Sequence, residues 1–311
     1  RRPRRALNAA AGVALILAGG AGLAWYSGVF GSTAISPRAA GSELKVVDVV
    51  SWNSAPGEVY SYGTFSPDGR MIAFSSTRSG SKNIWVKQAA AGEAVQVTKD
   101  EFDNDQPIWS SDGEQIGFVS TRGDKPGIWR IPVLGGSATL VANFDDRALR
   151  PLRWARDGRI FYESEMRVGA VDPSTGRSQT LLDLSSRNAD ADSITLSHDE
   201  KQVAFAAAEG DTWTIAVNAV GDGEPRTVVT LPGQVRNIVW SPDDRKLYFS
   251  ALKDGTYQAF ESDLSAREPR QLTSGERDAF ALDASPDGER LLFGAAKEES
   301  DIWQEIGRAH V

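Results

Sequence analysis

The chain has 311 residues, of which 41% are hydrophobic, and this content supports a sizeable folded core. Its formal net charge of −8 disfavours nucleic-acid binding, because an acidic surface repels the phosphate backbone. The lack of cysteine excludes a disulfide framework and a thiolate metal site, but it does not indicate a cellular compartment.

The chain opens with a basic stretch that is followed by a long apolar segment. Residues 1–5 include four arginines, whereas residues 6–26 contain no charged side chain. A helix rises about 1.5 Å per residue, so this segment is long enough to cross a hydrocarbon core of roughly 30 Å. The pattern predicts one transmembrane helix at residues 6–26, with residues 1–5 as its cytoplasmic flank, because positively charged flanks stay in the cytoplasm.

This orientation predicts a single-pass protein of the inner (cytoplasmic) membrane, with its bulk on the periplasmic or extracellular side. A cleaved signal peptide is the alternative, and it would leave a soluble periplasmic scaffold. Residues 27–43, which include Gly, Ser and Pro, are predicted to be a linker.

A short turn motif recurs through the rest of the chain. Each copy has an aspartate two positions after a Ser or Ala, and most copies continue with Gly. The copies are Ser66–Gly69, Ser110–Gly113, Ala155–Gly158, Ser197–Glu200, Ser241–Asp244 and Ser285–Gly288. Successive aspartates are 42 to 45 residues apart, and a fixed period of this length indicates a repeat architecture.

The residues around each motif predict four strands per repeat. In the first unit, Ile72 and Phe74 alternate with other residues after the turn, as in a strand with one buried face. Trp85 marks a third strand, and Val97 lies at the end of a fourth. Because related patterns recur in the other units, residues 44–304 are predicted to form an all-β, six-bladed β-propeller of four-stranded blades.

The last unit lacks residues for a fourth strand. It reaches its third strand at Asp301–Trp303, and residues 305–311 back-translate to a common sequencing-adapter sequence, so we interpret that tail as non-native. An uncovered sheet edge invites aggregation, and a propeller can close by borrowing a strand from the other end of the chain. We therefore expect Leu44–Val50 to complete the last blade beside Asp301–Trp303.

The succession of an aromatic residue, Ser-Pro-Asp-Gly, Ile-x-Phe and Ile-Trp resembles the WD40-like (PD40-type) repeat of TolB-like β-propellers. Its best copy consists of the segment from Phe65 to Phe74 together with Trp85. Together with the basic flank and the apolar segment, the resemblance implies the membrane-anchored C-terminal half of a bacterial signalling protein. Such proteins carry a serine/threonine kinase or a winged-helix regulator on the cytoplasmic side, so this chain would be a fragment of one.

The sequence lacks the motifs that we tested for catalysis and for metal or cofactor binding. Gly-x-Ser-x-Gly, the turn that exposes a hydrolase serine, does not occur. Outside the tail, His198 is the only histidine, and Asp103-Asn104-Asp105 lacks the glycine and glutamate of a calcium loop. We therefore expect a binding or sensing module with no catalytic residues, metal or cofactor. A propeller hydrolase with a metal in its tunnel is the alternative.

Charged residues precede the motifs at the end of the ring where ligands of propellers commonly bind. The positions seven residues before the aspartates are Ser61, Asp105, Arg150, Asp192, Arg236 and Phe280. Four consecutive units alternate in charge there, and an arginine can bind a carboxylate through two hydrogen bonds. We predict that Asp105, Arg150, Asp192 and Arg236 bind a protein or peptide; the alternative is a solvated rim whose charges pair with one another.

Overall fold

The computed structural model describes residues 45–48, 60–90, 92–145, 149–190, 193–221, 223–265, 268–276 and 278–296. These residues form β-strands joined by turns, and no helix among them is long and apolar enough to cross a membrane. The predicted transmembrane helix (residues 6–26), its flank (residues 1–5), the linker (residues 27–43) and the tail (residues 305–311) lie outside the described residues.

Each unit begins with a strand that leads into its turn motif. The N-terminal strand, which precedes the first unit, is β1 (Lys45–Asp48). The first two units contain β2 (Tyr60–Phe65), β3 (Met71–Ser79), β4 (Ser81–Gln88), β5 (Val95–Gln96), β6 (Asn104–Trp109), β7 (Gln115–Ser120), β8 (Gly127–Pro132) and β9 (Thr139–Asn143). The next two contain β10 (Arg150–Trp154), β11 (Ile160–Ser164), β12 (Arg167–Val171), β13 (Ser178–Asp183), β14 (Thr195–Leu196), β15 (Gln202–Glu209), β16 (Thr212–Ala219) and β17 (Arg226–Leu231). The last two contain β18 (Val235–Trp240), β19 (Lys246–Lys253), β20 (Thr256–Asp263), β21 (Arg270–Gln271), β22 (Asp278–Ala284) and β23 (Arg290–Ala296).

The strands form a propeller of four-stranded blades, as the repeat predicts. Each of the first five units is a separate antiparallel sheet whose four strands follow chain order. The first strands contact one another in a closed cycle, β2, β6, β10, β14, β18, β22 and back to β2, so they surround the axis of the ring. Against the expected six four-stranded blades, the described residues contain five, and the sheet of the last unit has three strands.

That three-stranded sheet corrects the expected closure. The strand β1 joins the last sheet, as predicted, but it pairs in parallel with β23, with Lys45 opposite Arg290. The expected partner, Asp301–Trp303, lies outside the described residues. One edge of β23 is occupied by β22, so the other would present unpaired N–H and C=O groups, and β1 satisfies them directly. The N-terminal strand therefore lies beside the second strand of the unit.

A repeated hydrogen-bond network explains the turn motif. In the first unit, Asp68 Oδ1 accepts a hydrogen bond from the Ser66 hydroxyl (2.6 Å), and Ser66 Oγ accepts one from the Met71 N–H (2.9 Å). Gly69 has a φ of 70°, in the left-handed region that glycine adopts at little cost. Serine, aspartate and glycine therefore recur because each supplies a different part of one tight turn.

Repeated phenylalanines form the core between neighbouring blades. Phe74, Phe118, Phe205 and Phe249 lie six residues after their motif aspartates, and each is at most 2% exposed. The hydrophobic clusters that contain Phe118, Phe205 and Phe249 combine residues of consecutive units. Since burial of one such side chain contributes about 1.5–3 kcal/mol, these contacts hold adjacent blades together.

Candidate functional site

Three of the four predicted partner-binding residues lie on the first strands of their units. Asp105 is in β6, Arg150 begins β10, and Arg236 is in β18. The fourth, Asp192, lies outside the described residues. Because the first strands surround the axis, these equivalent positions lie at one end of the ring, which we call the mouth.

Strained backbone follows the mouth position in several blades. Tyr62, Gln106 and Asn237 have φ values of 50°, 56° and 51° and follow the mouth position directly, and the pairing of each first strand with the next is interrupted by a bulge there. Left-handed residues other than glycine and bulges both concentrate at functional sites. Sequence reasoning missed this strain, because tyrosine and glutamine carry no signal for a left-handed conformation.

Lys82 connects the first blade to Asp105 in the second. Its Nζ lies 2.7 Å from Asp105 Oδ2, and its backbone N–H donates to Asp103 Oδ1 (3.1 Å). Burial lowers the pKa of Lys82, but the hydrogen bond and charge of Asp105 outweigh it and raise that pKa above its ordinary value. The carboxylates of Asp103 and Asp105 therefore both bind Lys82. Within the described ranges, no group of three or more His, Cys, Asp or Glu side chains could hold a metal ion.

A second cluster joins the fifth and sixth units. The Arg236 guanidinium lies 5.4 Å from the centroid of the Tyr257 ring, and that ring lies 5.1 Å from the ring of Phe280. The Tyr257 N–H donates to Asp278 Oδ1 (2.6 Å). Burial raises the pKa of Tyr257, so its hydroxyl stays protonated at neutral pH. Two predicted mouth positions, Arg236 and Phe280, thus meet through a tyrosine that the sequence reasoning had not singled out.

Lys82 and Tyr257 occupy equivalent places in the repeat. Each lies fourteen residues after its motif aspartate, near the start of a third strand. Each also donates its backbone N–H to an aspartate nine residues before the next motif aspartate, Asp103 or Asp278. This shared spacing is a signal in the sequence by which the contact between blades could have been found.

Arg150 contacts the blade that follows its own. Its Nη2 donates to the carbonyl oxygen of Ile194, 2.8 Å away, just before β14. Asp105 is held by the preceding blade and Arg236 by the aromatic cluster. The mouth therefore consists of contacts between neighbouring blades, with Arg236 over Tyr257 as its aromatic and cationic part.

At the end of the ring that carries the turn motifs, one turn caps another. Asp244 of the fifth unit accepts hydrogen bonds from the backbone N–H groups of His198 (2.7 Å) and Asp199 (2.9 Å), and His198 Nδ1 lies 3.1 Å from its Oδ1. Burial would raise the pKa of Asp244, but the bonds from His198 and Asp199 outweigh burial and hold it below its ordinary value. The histidine thus belongs to a structural contact between two turns.

Replacing Asp244 by asparagine should lower the free energy of unfolding by about 1 kcal/mol at pH 7, because it removes the charge that strengthens these bonds. A depressed folded-state pKa contributes stability above the unfolded pKa of about 3.9 and loses it as the pH falls further. The difference between variant and parent should therefore shrink below about pH 4 in urea titrations. Asp254→Asn is the matched control. Asp244 and Asp254 both have a left-handed backbone conformation (φ 55° and 53°), but Asp254 is exposed. An equal loss in both variants would contradict the assignment.

Comparison with known families supports the architecture. The family model described as TolB beta propeller domain (PD40) matches residues 38–194. No curated protein matches the chain significantly.

Solved structures of low sequence identity share the fold. TolB from Acinetobacter baumannii has a TM-score of 0.59 and 17% identity, over 70% of this chain and 55% of that one. A candidate TolB from Agrobacterium tumefaciens has a TM-score of 0.59 and 16% identity, over 75% and 88%. A chain of a nidogen/laminin complex has a TM-score of 0.56 and 11% identity, over 78% and 86%. The chain thus spans about half the length of the Acinetobacter protein.

Proposed function

This chain belongs to the TolB β-propeller family, and from that premise we propose that it is a binding propeller without catalysis, whose mouth captures a protein or peptide segment. We propose further that it is the extracytoplasmic, membrane-tethered sensor part of a larger signalling protein. The observation that carries the binding role is the mouth itself, where Arg236, Tyr257 and Phe280 meet beside the left-handed Asn237.

The proposal includes a ring of six blades. Five four-stranded sheets and one three-stranded sheet support it, as does the closed cycle of contacts between the first strands. The three-stranded sheet is then the last blade, and β1 ties the N-terminal side of the propeller to it. A closed ring gives the mouth a fixed shape, because each blade is held by two neighbours.

The chemistry of the mouth favours a segment with carboxylate and aromatic groups. An arginine that stacks on an aromatic ring through its face still has N–H groups along its edge, and these bind carboxylates. Tyrosine and arginine are also the side chains that most often dominate binding energy at interfaces. Arg150 adds positive charge at the same end of the ring, whereas the charge of Lys82 is paired with Asp105.

The membrane tether is supported by the sequence of residues 1–26, a basic flank followed by an uncharged stretch. It would keep the propeller at the membrane, where a captured segment could be reported to a partner domain on the other side. The full chain should accordingly sediment with membranes after cell lysis and resist extraction by high salt. Recovery in the soluble fraction would support the scaffold released by signal cleavage.

Peptide arrays test the mouth. The full chain, solubilised from its membrane fraction, is applied to synthetic peptides that pair glutamates with tyrosine or phenylalanine, and to the same peptides with lysine in place of glutamate. We expect retention on the acidic peptides and at least a tenfold loss of affinity in Arg236→Glu, because the reversed charge repels the carboxylates.

Arg177→Glu is the matched control, since Arg177 is an exposed arginine on the loop before the outer strand β13. It changes the net charge of the protein equally and should leave retention unchanged. Equal losses in the two variants would mean that retention depends on overall charge, and retention of the lysine peptides would contradict the proposed chemistry.

A further inference from the structure

A groove lies at the outside of the ring, between the third and the fourth blade. Residues 180–184, in β13 and just after it, form one wall, and Asn218, Gly221, Gly223 and Pro225 of the next blade form the other. The groove has a volume of about 310 Å³, which is within the range of ligand pockets. Successive side chains of a strand point to opposite faces. Five consecutive lining residues therefore mean that the edge of the strand borders the groove.

This edge of β13 presents unpaired backbone groups. Within the described part of the chain, β13 is the last strand of its sheet and is bonded to β12 alone. The Asp172 N–H donates to the carbonyl oxygen of Arg177 (3.0 Å), so these residues form a hydrogen-bonded pair at the end of the hairpin. Hydrogen-bonded and non-hydrogen-bonded pairs alternate along antiparallel strands, which makes Gly169 and Thr180 a non-hydrogen-bonded pair. The backbone N–H and C=O of Thr180 therefore point away from β12, towards the groove.

The opposite wall offers an unused acceptor and open space. Asn218 is only 3% exposed, and its Nδ2 donates to the carbonyl oxygen of Ala219 (3.1 Å). Its Oδ1 is buried and has no partner among the residues that the structure describes, and a donor brought into the groove would remove the cost of that arrangement. A Cβ added to Gly221 or Gly223 would meet no atom within 4 Å, so another main chain has room to approach this loop.

The charged residues that line the groove already have partners. Arg187 Nη2 lies 3.1 Å from Glu224 Oε2, and the Arg167 Nε–H donates to Asp183 Oδ2 (3.2 Å). The other oxygen of Asp183 accepts a hydrogen bond from the Ser185 N–H (2.9 Å). A charged ligand would therefore meet no unpaired opposite charge on Asp183 or Arg187, and this favours an uncharged occupant.

We propose that this groove binds an uncharged, extended peptide segment of a partner protein, which adds a strand to the edge of β13. In strand addition, main-chain hydrogen bonds supply the affinity, and Thr180 offers one donor and one acceptor for them. The added strand lies between β13 and the loop that follows β16. The groove is separate from the mouth, because it lies on the outermost strand of a blade and takes uncharged rather than acidic segments.

An array of uncharged hexapeptides tests this proposal. The full chain, solubilised from its membrane fraction, is applied to peptides in which Val, Ile or Thr alternates with Ser, Ala or Gln. We expect a subset to be retained. Each retained peptide is then N-methylated at one residue at a time. Every second N–H of an added strand faces the same edge, so methylation at alternate positions should weaken binding at least tenfold more than methylation at the positions between them.

Two proline variants locate the binding edge. Thr180→Pro removes an N–H that faces the groove and no hydrogen bond to β12, and such edge positions tolerate proline. It should weaken binding of the retained peptides at least tenfold. Ser178→Pro is the matched control, because Ser178 has the preceding outward position on the same edge but does not line the groove. Its effect should be less than twofold.

Arg236→Glu separates this groove from the mouth, because it should leave binding of the uncharged peptides intact. If Thr180→Pro does not fold, the methylation pattern alone decides. Absence of any retained peptide, equal effects of methylation at all positions, unchanged binding in a folded Thr180→Pro, or loss of binding in Arg236→Glu would overturn the proposal. So would self-association of the chain that Thr180→Pro abolishes, since the occupant would then be a second copy of the chain.

Discussion

Replacing Phe249 by alanine is expected to lower the free energy of unfolding by about 3–5 kcal/mol, because it leaves a cavity that the rigid ring cannot close. Phe249 is fully buried and stacks on Phe260, with ring centroids 5.8 Å apart and planes inclined by 12°. It also packs in a cluster that joins the fourth and fifth blades, with members such as Ile215 and Trp240. The variant should therefore loosen an interface between blades. Urea titration followed by tryptophan fluorescence measures the loss.

Leu252→Ala is the matched control on the same strand, β19. Leu252 is 39% exposed, so its truncation should change the free energy of unfolding by no more than about 0.5 kcal/mol. A loss of similar size in both variants would mean that position in the repeat does not decide burial. That result would contradict the reading of the repeated phenylalanines as the core between blades.

The repeat made this core predictable from the sequence. Phe74 and Phe249 stand at one phase of a period set by the turn motifs, and a period-two alternation has a single buried face. The strands, the turns and the family resemblance follow from such local patterns. The position of β1 could not be predicted in the same way, because any strand of suitable composition can satisfy the free edge of β23.

The candidate site was predictable only in part. Spacing located Asp105, Arg150 and Arg236 at one end of the ring, since equivalent residues of a repeat occupy equivalent places. Their partners depend on how one blade faces the next, and that geometry is not contained in any single unit. Lys82 and Tyr257 reach across this boundary, so a reading that considers each unit separately overlooks them.

Replacing Asp283 by alanine is expected to cost about 2–4 kcal/mol, because the change leaves the Phe65 N–H and the Thr64 hydroxyl without their charged acceptor. These bonds connect the last unit to the first, 219 residues apart in sequence for Thr64, and so contribute directly to ring closure. A double-mutant cycle with Thr64→Val should give a coupling energy of about 1 kcal/mol. Asp263→Ala, at an exposed carboxylate 3.8 Å from Lys246, should stay within about 0.5 kcal/mol.

The pH dependence of this loss separates Asp283 from the other aspartate that joins two blades. Burial raises the pKa of Asp283 above its ordinary value despite its hydrogen bonds, whereas the pKa of Asp244 is lowered. A raised folded-state pKa contributes stability that is complete below the unfolded pKa of about 3.9 and is lost as the pH rises through the folded value. The cost of Asp283→Ala should therefore decrease from pH 4 to pH 8, opposite to the trend for Asp244→Asn. Parallel trends would show that the Asp283 carboxyl is not buried, because burial is the cause that raises its pKa.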